Sequence, residues 1–135
     1  MFELEHVERA MSEFDSKYVR SRLFDYLKGL SDIEYQRKWW VNKQFPHGAY
    51  DDFEETIKFF FDGSLLCTKI SAYLGNVLQN EEEVEAIQSV CNILDKIYFR
   101  KDWETDADVI ELPEWQQVIN FAKGALVVLN RSEKI

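Results

Sequence analysis

The sequence predicts an all-α fold, a single helical domain over residues 1–135 built as an irregular bundle of about five to seven helices. Three observations carry that expectation. Apolar residues recur at steps of three and four along most of the chain, the spacing that lines one face of a helix. Only two prolines and five glycines interrupt it. No two alternating apolar runs pair as strands, and no βαβ unit can be drawn. At this length folding hides roughly two thirds of the extended chain's surface. With 46% apolar residues, ten Phe, six Tyr and four Trp, the chain is too hydrophobic to stay disordered.

Residues 3–13 predict a short first helix. Ser16 caps a second, with Val19, Leu23, Leu27 and Leu30 inward and Gly29 weakening its last turn. Ser31 and Glu34 form an S-x-x-E capping box that opens a third helix to about Lys43. Its inner edge holds Ile33, Trp40 and either Gln36 or Arg37. Since Trp39 and Trp40 are adjacent, at least one faces off the main core. Phe45-Pro46-His47-Gly48 breaks the pattern. A fourth helix is expected from Asp51 to Asp62, with Asp51, Asp52, Glu54 and Glu55 in the first turn, where the helix dipole favours anions.

In residues 64–79, Ser64 to Ile70 fits a short strand or an extended buried connector, and Ile70 to Leu78 a short helix interrupted at Gly75; a lone strand has no partner, which favours the connector and short helix. Asn80 caps the next helix, whose stripe of Val84, Ile87, Cys91, Leu94 and Tyr98 runs to about Arg100. Residues 101–112 are expected to be an acidic loop. Pro113 suits the first position of a final helix, where its missing N–H does no harm. That helix presents Trp115, Val118, Ile119, Ala122, Leu126 and Leu129.

Charge is the strongest functional signal. Between Glu81 and Glu114 eleven carboxylates face three bases, which leaves −8 of a total of −9. From Ser16 to Phe45 seven bases face three acids, leaving +4. Unpaired charge is too costly to bury, so these fields belong on the surface, where they steer partners of opposite sign. Net acidity disfavours nucleic acid as a direct ligand, because phosphate binding rests on Lys and Arg. The opening Met1-Phe2-Glu3-Leu4-Glu5 is acidic, unlike a secretory leader. Apolar runs such as Ala125–Leu129 fall far short of the ~20 residues that span a bilayer. A soluble cytoplasmic protein is expected. Two cysteines make no disulfide framework or zinc module, and Cys91, on an apolar stripe, is expected as a buried free thiol.

No catalytic residue, metal or cofactor is expected. His6 and His47 are the only histidines, and neither lies in a nucleophile signature. His47, Asp51 and Asp52 could ligate a metal, but starting a helix is the better use of the two carboxylates. Asp102, Asp106 and Asp108 resemble a calcium loop without its glycine at position six, here Ala107, or its closing glutamate at position twelve, here Pro113. A partner surface suits this loop better: Asp102, Glu104, Asp106 and Asp108 as charge contacts around Trp103 as an anchor.

The run Leu30-Ser31-Asp32, Glu34-Tyr35-Gln36-Arg37, Trp40, Pro46-His47, and Tyr50-Asp51-Asp52-Phe53 with Phe61-Asp62 resembles a family of small, uncharacterised bacterial helical proteins. That resemblance covers roughly residues 20–63, and more loosely the Trp115 helix. It implies a shared fold and brings no activity or cofactor. In size and charge the chain is also similar to immunity proteins of bacterial toxin systems, including contact-dependent growth inhibition. Those are small acidic cytoplasmic domains that neutralise a toxin, often a basic nuclease. The expected function is therefore an immunity protein rather than an enzyme. Its partner would be a basic toxin domain, and neither nucleic acid nor membrane is bound directly. Two other readings stand beside it: an enzyme using His47, Tyr50, Asp51 and Asp52 with Arg37, and a homodimer or larger scaffold joining the basic helices to the acidic quarter.

Overall fold

Leu23, Leu27 and Leu30 fall on one side of helix α1 (Glu13–Leu30) and are fully buried, as their spacing requires. The computed structural model describes residues 13–44, 50–100 and 102–133. The expected helix over 3–13 lies outside them except for its last residue, as do His6 and the turn holding His47. Beyond α1 come α2 (Ile33–Tyr35), which continues as a π-helix (Gln36–Val41), and α3 (Phe53–Lys58), which continues as a second π-helix (Phe59–Gly63). A short 3-10 helix (Ile70–Tyr73), α4 (Glu81–Arg100), α5 (Asp106–Ile110) and α6 (Trp115–Glu133) complete the order. Among the described residues there is no sheet, and the all-α expectation holds.

Helix α6 is the centre of the bundle and runs antiparallel to both α4 and α1. Arg131 pairs with Glu82 at one end of the α4–α6 contact, and Arg100 pairs with Glu114 at the other. Arg20 near the start of α1 reaches Glu133 at the end of α6. At the opposite end Trp40, Phe53 and Trp115 meet with ring centroids 5.8–6.2 Å apart. Buried among them, the Gln36 amide donates to the carbonyls of Gly29 and Leu30 and accepts from Trp115 Nε1 at 2.8 Å. A buried amide satisfied this way fixes the angle between α1, α2 and α6.

Several local expectations are corrected. Ser16 lies inside α1 and is buried, so it is not a cap. Asp32, not Ser31, caps α2: its side chain accepts from Tyr35 N–H, while Ser31 Oγ donates to the Lys28 carbonyl. Glu34 pairs with Arg37 instead of closing a box. The third helix ends at Val41 and the fourth starts at Phe53, with Asp52 as its cap. Each π-helix is followed two residues on by a left-handed residue, Lys43 and Leu65, with φ near +58° and +57°. Residues 64–79, expected as a connector followed by a short helix, do form turns and the short 3-10 helix, which ends at Tyr73, ahead of Gly75. Asn80 does cap α4, accepting from Glu83 N–H at 3.0 Å.

Residues 101–112 are not all loop, since α5 forms behind a true capping box. Thr105 Oγ1 accepts from Asp108 N–H, and the Asp108 carboxylate accepts from Thr105 N–H. The signal was present as T-x-x-D, a shorter version of the usual motif. Thr105→Ala is expected to lower stability by about 1 kcal/mol, read as a shifted denaturation midpoint with unchanged slope. Helix α6 begins at Trp115, so Pro113 stands two residues ahead of it rather than at its first position.

The clearest correction concerns sulfur. Cys91 is not a free thiol; it is bonded to Cys67, and the bridge ties the 64–79 segment to α4. No helix among the described residues is long and apolar enough to cross a membrane.

Candidate functional site

The acidic quarter divides into carboxylates the chain neutralises itself and carboxylates it leaves outside. Glu83 is fully buried against Arg20 at 2.9 Å. Glu82 pairs with Arg131 at 2.8 Å, and Asp102 and Glu114 share Arg100 at 3.0 and 2.5 Å. That guanidinium draws the Glu114 carboxyl down to about 2. Asp108 accepts from Glu104 and Thr105 N–H groups, which lower its pKa. Asp106 is half-buried and accepts from Phe53 N–H at 3.3 Å; burial raises its carboxyl above the usual range. Glu81, Glu85, Asp95, Glu104 and Glu111 remain exposed, with no ion-pair partner among the described residues.

Of the five expected contact residues, Glu104 alone keeps an uncommitted carboxylate. Trp103 is turned inward: its Nε1 donates to the Ile97 carbonyl at 3.1 Å, and its ring meets Phe53 edge-on at 5.3 Å. It is an anchor for the loop, not for a partner. The exposed aromatic of this quarter is Phe99, 68% exposed. Glu81, Glu85, Asn92, Asp95 and Phe99 sit at offsets of 0, 4, 11, 14 and 18 along α4, a single stripe at helical pitch. The sequence held this signal, because Phe99 falls one residue past the buried stripe and lines up with the acids.

A second feature lies at the other side of the molecule's charge map. Arg22, Asp25 and Tyr26 on α1, Tyr35 at the end of α2, and Tyr50 with Asp51 line an open cleft of about 150 Å³. Gly29 lets Tyr35 pack closely on α1, since a Cβ there would stand 3.1 Å from Tyr35 Cε1 and push the ring outward by a few tenths of an ångström. Asp51 Oδ2 accepts from the Tyr35 hydroxyl at 2.5 Å and from Trp40 Nε1 at 3.0 Å. Burial raises the Asp51 carboxyl even against these donors. Burial, reinforced by the Asp51 hydrogen bond, also lifts the Tyr35 phenol well above its ordinary value. The Tyr50 hydroxyl donates to Asp52, and this bond pushes the phenol up to about 12. Burial raises Tyr26 too.

Asp51, expected at a helix start, is therefore part of a cleft wall. Asp52 carries out the capping role, accepting from Glu55 N–H at 2.8 Å. Arg37 stands apart, exposed and paired with Glu34. His47 lies outside the described residues. The sequence did not single out Arg22, Asp25 or Tyr26, whose only signal was an i, i+3, i+4 cluster on the polar side of the Leu23–Leu27–Leu30 stripe, and it marked Tyr35 only as part of the family resemblance. Chemically the cleft offers protonated phenols, carboxylate acceptors and ring faces.

No curated protein and no solved structure is significantly similar to the chain. A family model does match, that of a domain of unknown function (DUF7945), over residues 16–134. Because the match spans nearly the whole sequence, the chain belongs to the DUF7945 family.

Proposed function

We propose that this chain is a binding protein, most concretely an immunity protein that neutralises a basic bacterial toxin by covering its active site. A nuclease of the kind used in contact-dependent growth inhibition is the fitting class of partner. The reading is carried by the outer stripe of α4, where Glu81, Glu85 and Asp95 have no ion-pair partner among the described residues and stand beside the exposed Phe99. Nuclease sites are electropositive because their substrate is a polyanion. A carboxylate row can occupy such a site, accelerate encounter and fix register, while one desolvated aromatic supplies the lasting contact. Glu104 and Glu111 extend the field around the end of α4.

The compartment that goes with a nuclease target is the cytoplasm. One observation pulls the other way, since disulfides persist chiefly in oxidising compartments. A cytoplasmic chain would carry Cys67 and Cys91 as a reduced pair.

Capture from the native cell with the wild-type chain should return a basic nuclease domain in equimolar amount. The E81K/E85K/D95K variant should bind that domain at least about ten-fold more weakly, mainly through slower association at low salt. Phe99→Ala should instead speed dissociation. An equimolar partner that is acidic, or a triple variant of undiminished affinity, overturns the reading.

A further inference from the structure

We propose that the cleft between α1, Tyr35 and the Tyr50-Asp51 corner is a binding site for a small organic cation carrying an alkylguanidinium or alkylammonium head group. It stands independently of the α4 face and survives that reading's failure. Three features select the ligand.

The first is the direction of the hydrogen bonds. Tyr35 and Tyr50 spend their hydroxyl protons on Asp51 and Asp52, so neither hydroxyl has a proton left to donate to an incoming ligand. Asp25 and Asp51 add carboxylate oxygens. Arg22 is the only cation among the described residues of the wall, and it donates to the Tyr26 hydroxyl at 3.2 Å. Acceptors exceed donors, and an anion placed here would meet two carboxylates.

The second is the behaviour of the rings. The Arg22 guanidinium already lies over the Tyr26 ring at 5.2 Å, and Lys43 Nζ lies 6.0 Å from the centre of Tyr50. The chain's own cations thus gather over the rings of these tyrosines, as the negative ring face favours. Tyr35, between them, carries no such cover from a basic side chain among the cation–ring contacts of the described residues.

The third is size and stiffness. A volume of about 150 Å³ is well under the roughly 300–1,000 Å³ of sites for drug-sized ligands, and suits one head group with a short stem. The walls are pre-set: Tyr26 stacks on Phe59 at 4.4 Å, Tyr35 is seated over Gly29, and Asp51 is held by Trp40. Both π-helices abut this corner, through Tyr35–Gln36 and through Phe59, and such segments recur where proteins bind or react. Little ordering remains to be done on binding.

The test is a titration of the intact chain followed by the tyrosine ring resonances, with ethylguanidinium as probe and its neutral counterpart ethylurea as control. Ethylguanidinium should give saturable shifts at Tyr26, Tyr35 and Tyr50, and ethylurea none. Asp25→Asn and Tyr50→Ala, both at exposed positions, should each weaken binding about three-fold or more while leaving the fold unchanged. Blocked arginine, N-acetyl-arginine methylamide, separates the sources. Tighter binding than ethylguanidinium assigns the site to a partner's side chain, and equal binding assigns it to a free cation. Absence of saturation, equal response to ethylurea, preference for acetate or phosphate, or indifference to both substitutions overturns the proposal.

Discussion

Glu83→Ala is expected to remove about 3–5 kcal/mol of stability, the range for breaking a buried ion pair from one side. Both partners are sequestered: Glu83 is 0% exposed and Arg20 7%. The guanidinium donates to Glu83, Glu133 and the Val77 carbonyl, so it joins α1, α4, α6 and the 64–79 segment at one point. Glu83 in turn accepts from Gln79 N–H at 2.7 Å. Truncating it leaves the buried guanidinium with the half-exposed Glu133 as its remaining carboxylate, and strands the Gln79 backbone donor. For a domain whose whole stability is about 5–15 kcal/mol, the loss is a large share of the total. Equilibrium denaturation in urea measures it. If the variant proves too unstable, Arg20→Met with Glu83→Leu resolves the cause, because replacing both charges by apolar groups of similar volume is near neutral. A double variant as damaged as the single one would show that packing, not the stranded charge, sets the loss.

The same pair gives a pH dependence of definite sign. Burial by itself would raise the Glu83 carboxyl, but the hydrogen bonds from Arg20 and Gln79 outweigh it and hold the group below its ordinary value of 4.5. The folded state therefore binds this proton less readily than the unfolded chain. Its stabilisation is complete above about pH 4.5 and is lost as pH falls through the lower folded value. Removing the carboxyl should flatten the acid limb of the stability profile.

What the sequence disclosed was periodicity, and what it concealed was pairing. The stripes of α1, α4 and α6 were legible because a 3-4 repeat of Leu, Ile and Val admits one solution. The π-helices were not, since an extra residue per turn leaves no mark in composition. Charge was legible as a sum but not as a set of partners. Glu81 and Glu83 look alike in sequence, yet one faces solvent and the other is the most buried acid among the described residues, because a helix turns 200° in two residues. Trp103 and Phe99 were exchanged for the same reason. A large aromatic in an acidic loop satisfies either the core or a partner, and only the position of Phe53 decides. The cleft was illegible because its walls come from residues 22–51, brought together by the Gln36 amide and Gly29. Cys67 and Cys91 were equally hidden, their bond depending on how the irregular 64–79 segment lies on α4.

That bond leads to the second large effect. Reduction of Cys67–Cys91 should lower the unfolding free energy by about 3 kcal/mol, the loop-closure value for a bridge spanning 24 residues. The segment it holds has little regular structure of its own, one short 3-10 helix between turns, so it depends on external ties. Its other ties are the buried side chains of Leu66, Val77 and Leu78, the Arg20 bond to the Val77 carbonyl, and the Gln79 N–H bond to Glu83. These remain after reduction, so the chain should still fold, with its midpoint in urea shifted down. Cys67→Ser, at a half-buried position, should match the reduced wild type and no longer respond to reductant. An unchanged midpoint under reduction would mean that the native contacts alone hold the segment against α4. The state of the pair in the living cell then bears on function: trapping thiols at lysis should find both free if the protein guards against a cytoplasmic nuclease. Two blocked thiols would place its work in an oxidising compartment, and the acidic α4 face would have to meet a partner there.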